Sequence, residues 1–172
     1  MNVVFLIFLF AAILTESDAI CRYTNGQYDL SWVVDHSDNV HFQLIYRNFP
    51  RLNAWTGVAF GQSMGAGLDA VIVKVINGKV IVSDEYVRGY SPSQPDYSQD
   101  TRLQTAEYNQ GTLKARFTRP VSAVESVVDH SLKGCTPWHF ITGPGIVYGN
   151  GGGGKHTRHP VIQIICLDQC RI

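Results

Sequence analysis

The sequence predicts an all-β chain, a single immunoglobulin-like β-sandwich of about nine strands. Three observations predict it. Short runs rich in Val, Ile, Tyr and Phe recur along the chain, separated by turn residues. Asn77-Gly78 stands between two β-branched runs, the strongest short-range hairpin signal, because both central residues must take positive φ. No stretch sustains the helical period of apolar residues.

The strands follow in order. Tyr28 to Val34 alternates, and Val40 to Tyr46 alternates again after the turn at Asp35-His36-Ser37-Asp38-Asn39. Trp55 to Gly61 forms the third run, beyond a loop with Pro50 and Asn53. Ala70 to Ile76 and Lys79 to Val87 flank Asn77-Gly78, and Arg102 to Tyr108 and Thr112 to Thr118 flank Asn109-Gln110-Gly111. Trp138 to Thr142 and Val161 to Leu167 complete the set. Two long loops are expected: Arg88 to Thr101, with Pro92, Pro95, Asp96 and Asp100, and Gly143 to Pro160, with Gly151 to Gly154 ahead of Lys155-His156-Thr157-Arg158-His159. Loops of that length in a compact domain often serve function.

The ends speak for export. Val3 to Leu14 is an apolar run of 12 residues, shorter than the ~20 a spanning helix needs. It fits a secretory signal over residues 1–19, with Ser17 and Ala19 as small residues before a cut at Ile20, leaving one domain over 20–172. Cys21, Cys135, Cys166 and Cys170 are an even set without Cys-x-x-Cys spacing, which reads as two structural disulfides. Cys21 opens the domain while Cys166 and Cys170 close it, so at least one bridge is expected to tie the ends together. Fourteen basic and fourteen acidic residues are scattered along the chain, which argues against nucleic acid and gives no sign of a membrane anchor. There is no Asn-x-Ser/Thr glycosylation acceptor.

Candidate chemistry is sparse. Met64, the only methionine beyond residue 19, lies in the glycine-rich turn Gly61-Gln62-Ser63-Met64-Gly65-Ala66-Gly67, where a thioether can approach a planar ligand closely. His156 and His159 lie in a second glycine-rich segment, and Met/His is a known axial pair for haem iron. A gap-filling core methionine and solvated loop histidines are the plainer readings of the same residues. His36, His41, His130 and His139 have no ligand spacing and read as surface or strand residues. Asp96 and Asp100 lack a calcium-loop context, and Asp84-Glu85 reads as a strand face near a turn. No Gly-x-Ser-x-Gly elbow, His-Glu-x-x-His motif or phosphate loop occurs, so no catalytic activity of the chain is expected.

The ordered motifs resemble the DOMON domain. Trp55-Thr56-Gly57-Val58-Ala59-Phe60-Gly61-Gln62-Ser63-Met64 followed by Asp69-Ala70-Val71-Ile72-Val73 is similar to its signature. Val80, Val82, Asp84 and Tyr86 with Gly89, Pro95 and Asp96 resemble its hairpin and loop. Phe117-Thr118-Arg119-Pro120 with Asp129, and Tyr28 to Trp32, resemble a later strand and the opening one. The similarity covers nearly all of Cys21 to Leu167. It implies a β-sandwich that binds haem b or sugar. In cytochrome members a Met after the Trp strand and a His before the last strand are axial ligands, which the resemblance carries to Met64 and His156, with His159 the alternate.

Two functions are therefore expected. The first is a secreted, non-catalytic electron-transfer module with non-covalent haem b, shielded by residues such as Trp55, Phe60 and Ile146 and served by a separate extracellular redox partner. The second is a cofactor-free adhesion module for carbohydrate or an extracellular protein, stacking a sugar on Trp32, Trp55 or Trp138.

Overall fold

Strict alternation organises the core. The computed structural model describes residues 20–51, 53–125 and 127–172, so the expected export segment 1–19 lies outside the described residues. Strands β1 (Cys21–Asn25), β2 (Tyr28–Val34), β3 (Asn39–Tyr46), β8 (Arg102–Asn109) and β9 (Thr112–Pro120) form one sheet in the order β1-β2-β3-β9-β8. The other sheet contains β4 (Ala54–Ser63), β5 (Gly67–Ile76), β6 (Lys79–Val87), β7 (Gln94–Pro95), β10 (Cys135–Val147), β11 (Gly153–His156) and β12 (Val161–Cys166). Its order is β10-β4-β5-β6-β7, with β12 and β11 following one another along the other edge of β10, β12 against Cys135–Phe140 and β11 against Gly145 and Val147. All pairings between named strands are antiparallel.

Every second residue of β2 and β3 points inward, so Leu30, Trp32, Val40, Phe42 and Leu44 meet Val58, Phe60, Val71, Val73, Trp138 and Phe140 from the facing sheet. Trp138 packs edge-on to Phe60 at 5.0 Å between ring centroids and tilted on Trp32 at 4.9 Å. Two tyrosines of the smaller sheet also bond across the core. Tyr28 donates its hydroxyl to the Gly57 carbonyl at 3.0 Å, and Tyr46 donates to the Thr142 carbonyl at 2.6 Å. Such bonds satisfy phenol groups that burial would otherwise leave unpaired, and burial raises the pKa of Tyr28 well above its ordinary value.

Cys21–Cys170 joins the first strand to a 3-10 turn at Leu167–Cys170, and Cys135–Cys166 links register partners on β10 and β12. The expected tie between the ends is present. Among the described residues twelve strands replace the expected nine, because β1, β7 and β11 lack strong alternation and owe their bonds to neighbouring strands. The glycine-rich segment after Thr142 is likewise more ordered than a loop. β10 continues through Pro144 to Val147 with a register shift between Ile141 and Gly145, and β11 returns beside it.

Candidate functional site

Strand alternation gives the larger sheet an apolar outer face as well as an inner one. Trp55, Gly57 and Ala59 on β4, Leu68, Ala70 and Ile72 on β5, and Ile141, Gly143 and Gly145 on β10 stand on that face. Ala59, Leu68, Ala70, Ile72, Val87 and Ile141 form a second buried cluster, separate from the main core, and half-buried Trp55 and Met64 pack against it. Small side chains on adjacent strands make the middle of this face flat: Ala59 pairs with Ala70, and Gly57 with both Ile72 and Ile141.

Met64 is held by its backbone. It occupies the turn between β4 and β5, and its carbonyl accepts N–H bonds from Gly67 at 3.3 Å and Gly89 at 2.8 Å. The second bond ties the turn to the start of the long loop after β6. Buried His139, on the outer side of β10 opposite Ala59, bonds through Nε2 to the Gly61 carbonyl at 2.9 Å, just ahead of the same turn. Burial lowers the pKa of His139, which favours its neutral form, so Nε2–H is the donor near neutral pH. The sequence reading of His139 as an ordinary strand residue missed this anchoring role. Its placement opposite Ala59 depends on a β4–β10 register that sequence does not reveal.

His156 ends β11 and pairs in register with Gly145. Its Nδ1 lies 2.6 Å from the Arg158 carbonyl, an acceptor only, so Nδ1 carries the proton and Nε2 of the neutral ring keeps its lone pair. The ring meets Trp55 edge-on at 6.3 Å between centroids. Trp55 donates Nε1–H to the Gly154 carbonyl at 2.9 Å, fastening β11 across the face. Gly145 makes that approach possible, since a Cβ there would lie 2.2 Å from Trp55 Nε1. His159 is exposed, 6.5 Å from His156 by ring centroids. Met64 and Trp55 thus share one apolar cluster, and His156 adjoins it through Trp55, while His159 stands outside.

Other expected shielding residues fall elsewhere. Phe60 is wholly buried on the inner face against Trp138, and Ile146 is half exposed beside Gly154. Trp32 and Trp138 are buried in the main core, which removes them as stacking platforms for a sugar. Next to Ala70, the wholly buried Glu85 accepts hydroxyl bonds from Ser83 and Ser93 and pairs with Lys74 Nζ at 2.6 Å. The sequence reading placed Asp84-Glu85 on a strand face without seeing that they face opposite sides. It also missed the buried carboxylates Asp69, Asp84, Asp96 and Asp129. A signal existed for the first, because Asp69 shares the inward alternation of Val71, Val73 and Val75.

The DOMON domain family model matches residues 24–145, most of the chain. The protein therefore belongs to the DOMON family. Comparison with curated proteins finds no match. Among solved structures, the chain resembles the cytochrome b domain of pyranose dehydrogenase from Coprinopsis cinerea, with a TM-score of 0.65 and 13% identity over 89% of this chain and 84% of that one. It also resembles the cytochrome domain of Myriococcum thermophilum cellobiose dehydrogenase, with a TM-score of 0.61 and 9% identity over 90% and 91%. At these identities the likeness is one of fold.

Proposed function

We propose that this DOMON domain binds haem b non-covalently on the outer face of its larger sheet and acts as a secreted electron-transfer module, with Met64 and His156 as axial ligands. The observation that carries the reading is the state of His156. Donation from Nδ1 to the Arg158 carbonyl leaves Nε2 as the free nitrogen, the arrangement typical of a metal-ligating histidine. The donor set, one thioether and one imidazole bordering a Gly/Ala face, suits a flat macrocycle. Likeness in fold to two cytochrome domains supports the same reading.

When bound, haem b supplies a one-electron Fe(III)/Fe(II) couple. The chain's own residues do the rest. His156 presents Nε2, Trp55 holds β11 in place through Gly154, and Ala59, Ala70, Ile72 and Ile141 keep water from the face. Met64 and Trp55 pack against that cluster and would border the bound group. We assign no reaction of its own to the chain; its electron partner is a separate extracellular molecule. Export through residues 1–19 belongs to the same proposal, and the two disulfides fit an oxidising compartment.

Haem titration of the purified protein tests this reading. One equivalent should bind and give a low-spin spectrum. His156→Ala should abolish most of the uptake, whereas His159→Ala should leave it unchanged. The reverse pattern would move the ligand to His159, and no uptake by the wild type would leave the cofactor-free adhesion module as the reading.

A further inference from the structure

The edge of a β-sheet presents unpaired N–H and C=O groups, and folded domains guard such edges with charge, proline, irregular register or shortness. Among the described strands, four of the edges here carry such a device. β1 has only five residues and includes the exposed Arg22. β7 is two residues long and ends on Pro95. β8 carries Arg102 and Glu107, and its register with β9 shifts between Leu103 and Thr105. β11 has four residues and carries Lys155, and its Gly154 carbonyl accepts the Trp55 Nε1–H.

β12 has none of them. Val161-Ile162-Gln163-Ile164-Ile165-Cys166 runs in unbroken register with β10 and holds no charge, glycine or proline. Among the described residues its backbone bonds only to β10, so its opposite edge is open. Val161 and Ile165 lean on the main core, whereas Ile162 is 54% exposed and Ile164 64%. Ile162 stands opposite His139 and Ile164 opposite Pro137, two residues apart on each strand, so both isoleucines share one face of the sheet.

This segment is complementary to itself when reversed. Antiparallel pairing about a two-fold axis through Gln163 sets Ile162 against Ile164, and Val161 against Ile165, of the other copy. Carried past the strand ends, the same count brings Arg158 to Asp168. Both are exposed. Among the described residues Arg158 makes no ion pair, and Asp168 has Arg171 Nε at 3.3 Å.

We propose that β12 pairs with β12 of a second copy, antiparallel about Gln163, and joins the two larger sheets into one continuous sheet across a two-fold dimer. Backbone bonds along the open edge supply the attraction. The Ile162–Ile164 contact, made twice, keeps water from it, and Arg158 against Asp168 at both ends selects this register over a slipped one. A second copy is the occupant because the chain itself carries both the apolar centre and the order of charges that the edge asks for. The pairing does not rest on the haem reading.

Sedimentation equilibrium of the purified protein, over micromolar to millimolar concentrations, tests it. The wild type should dimerise reversibly. Ile164→Lys changes an exposed side chain, so the circular dichroism spectrum should stay the same. Its dimer Kd should rise roughly tenfold or more, because both Ile162–Ile164 contacts are lost. Arg158→Asp places like charges at both ends and should also weaken the dimer. Adding Asp168→Arg to it should restore the affinity, a rescue that a purely structural role for either residue would not give. A wild type that stays monomeric throughout would overturn the pairing and leave the edge to a strand of another protein. A dimer whose Kd is unmoved by Ile164→Lys, or a double variant no tighter than Arg158→Asp alone, would overturn it as well.

Discussion

At Gly145 a single hydrogen atom decides the shape of the candidate face. A methyl group there would lie 2.2 Å from Trp55 Nε1, 2.5 Å from its Cε2 and 2.9 Å from the Gly154 carbonyl. Gly145→Ala should therefore push the indole off Gly154 and loosen β11, costing about 1–3 kcal/mol as overpacking does. A shifted tryptophan emission together with a lower Tm checks this. Asp35 offers a second prediction at this scale. Its Oδ1 accepts the N–H groups of Ser37 and Asn39, and its Oδ2 bonds His41 Nε2 at 2.7 Å. The His41 bond chiefly, with these backbone bonds, lowers its pKa from 3.8 to about 2. A depressed carboxylate contributes stability that is present above about pH 4 and is lost as pH falls toward 2. Asp35→Asn should flatten that acid limb in denaturant titrations run across the same pH range.

Elements show where sequence reading succeeds and where it stops. β2, β3 and the β5–β6 hairpin were legible because one face is apolar in strict alternation and Asn77-Gly78 dictates the turn, with φ of 50° and 78°. β11 was not legible, because Gly153–His156 has no apolar face and is held by β10 and by the Trp55 indole. The same limit applies to the site. Resemblance pointed to Met64 and His156, but the hydrogen bond that separates His156 from His159 comes from the backbone at Arg158. Asp96 was visible only as a loop residue, since its burial arises from contact with β6. The Cys21–Cys170 bridge spans 149 positions and joins β1 to the turn after β12. Replacing both cysteines by serine should cost about 2–5 kcal/mol, read from chemical denaturation of the otherwise intact domain.

Over the whole molecule, net charge is formally zero, so pH dependence follows from particular groups more than from global repulsion. Asp84 and Asp96 act opposite to Asp35. Their folded pKa values, about 6 and about 7, lie above the ordinary 3.8. The folded state therefore holds protons that the unfolded chain has released, and stability should fall as pH rises from about 4 through 7. Asp96→Asn should flatten that slope, and denaturant midpoints of wild type and variant across the same pH range check it. These buried carboxylates lie across the larger sheet from the candidate site: Asp69 and Asp84 point inward with the core positions of β5 and β6, whereas Met64, Trp55 and Ala70 belong to the outer cluster.

The most direct measurement is the absorption spectrum and midpoint potential of the haem-reconstituted domain, wild type against Met64→Ala. Met/His ligation raises the potential, and no other methionine lies beyond residue 19 to replace Met64. The wild type should be low-spin, and Met64→Ala should fold and still bind haem but show an altered spectrum and a lower potential. Identical spectra and potentials for the two proteins, or a wild type that takes up no haem, would contradict it.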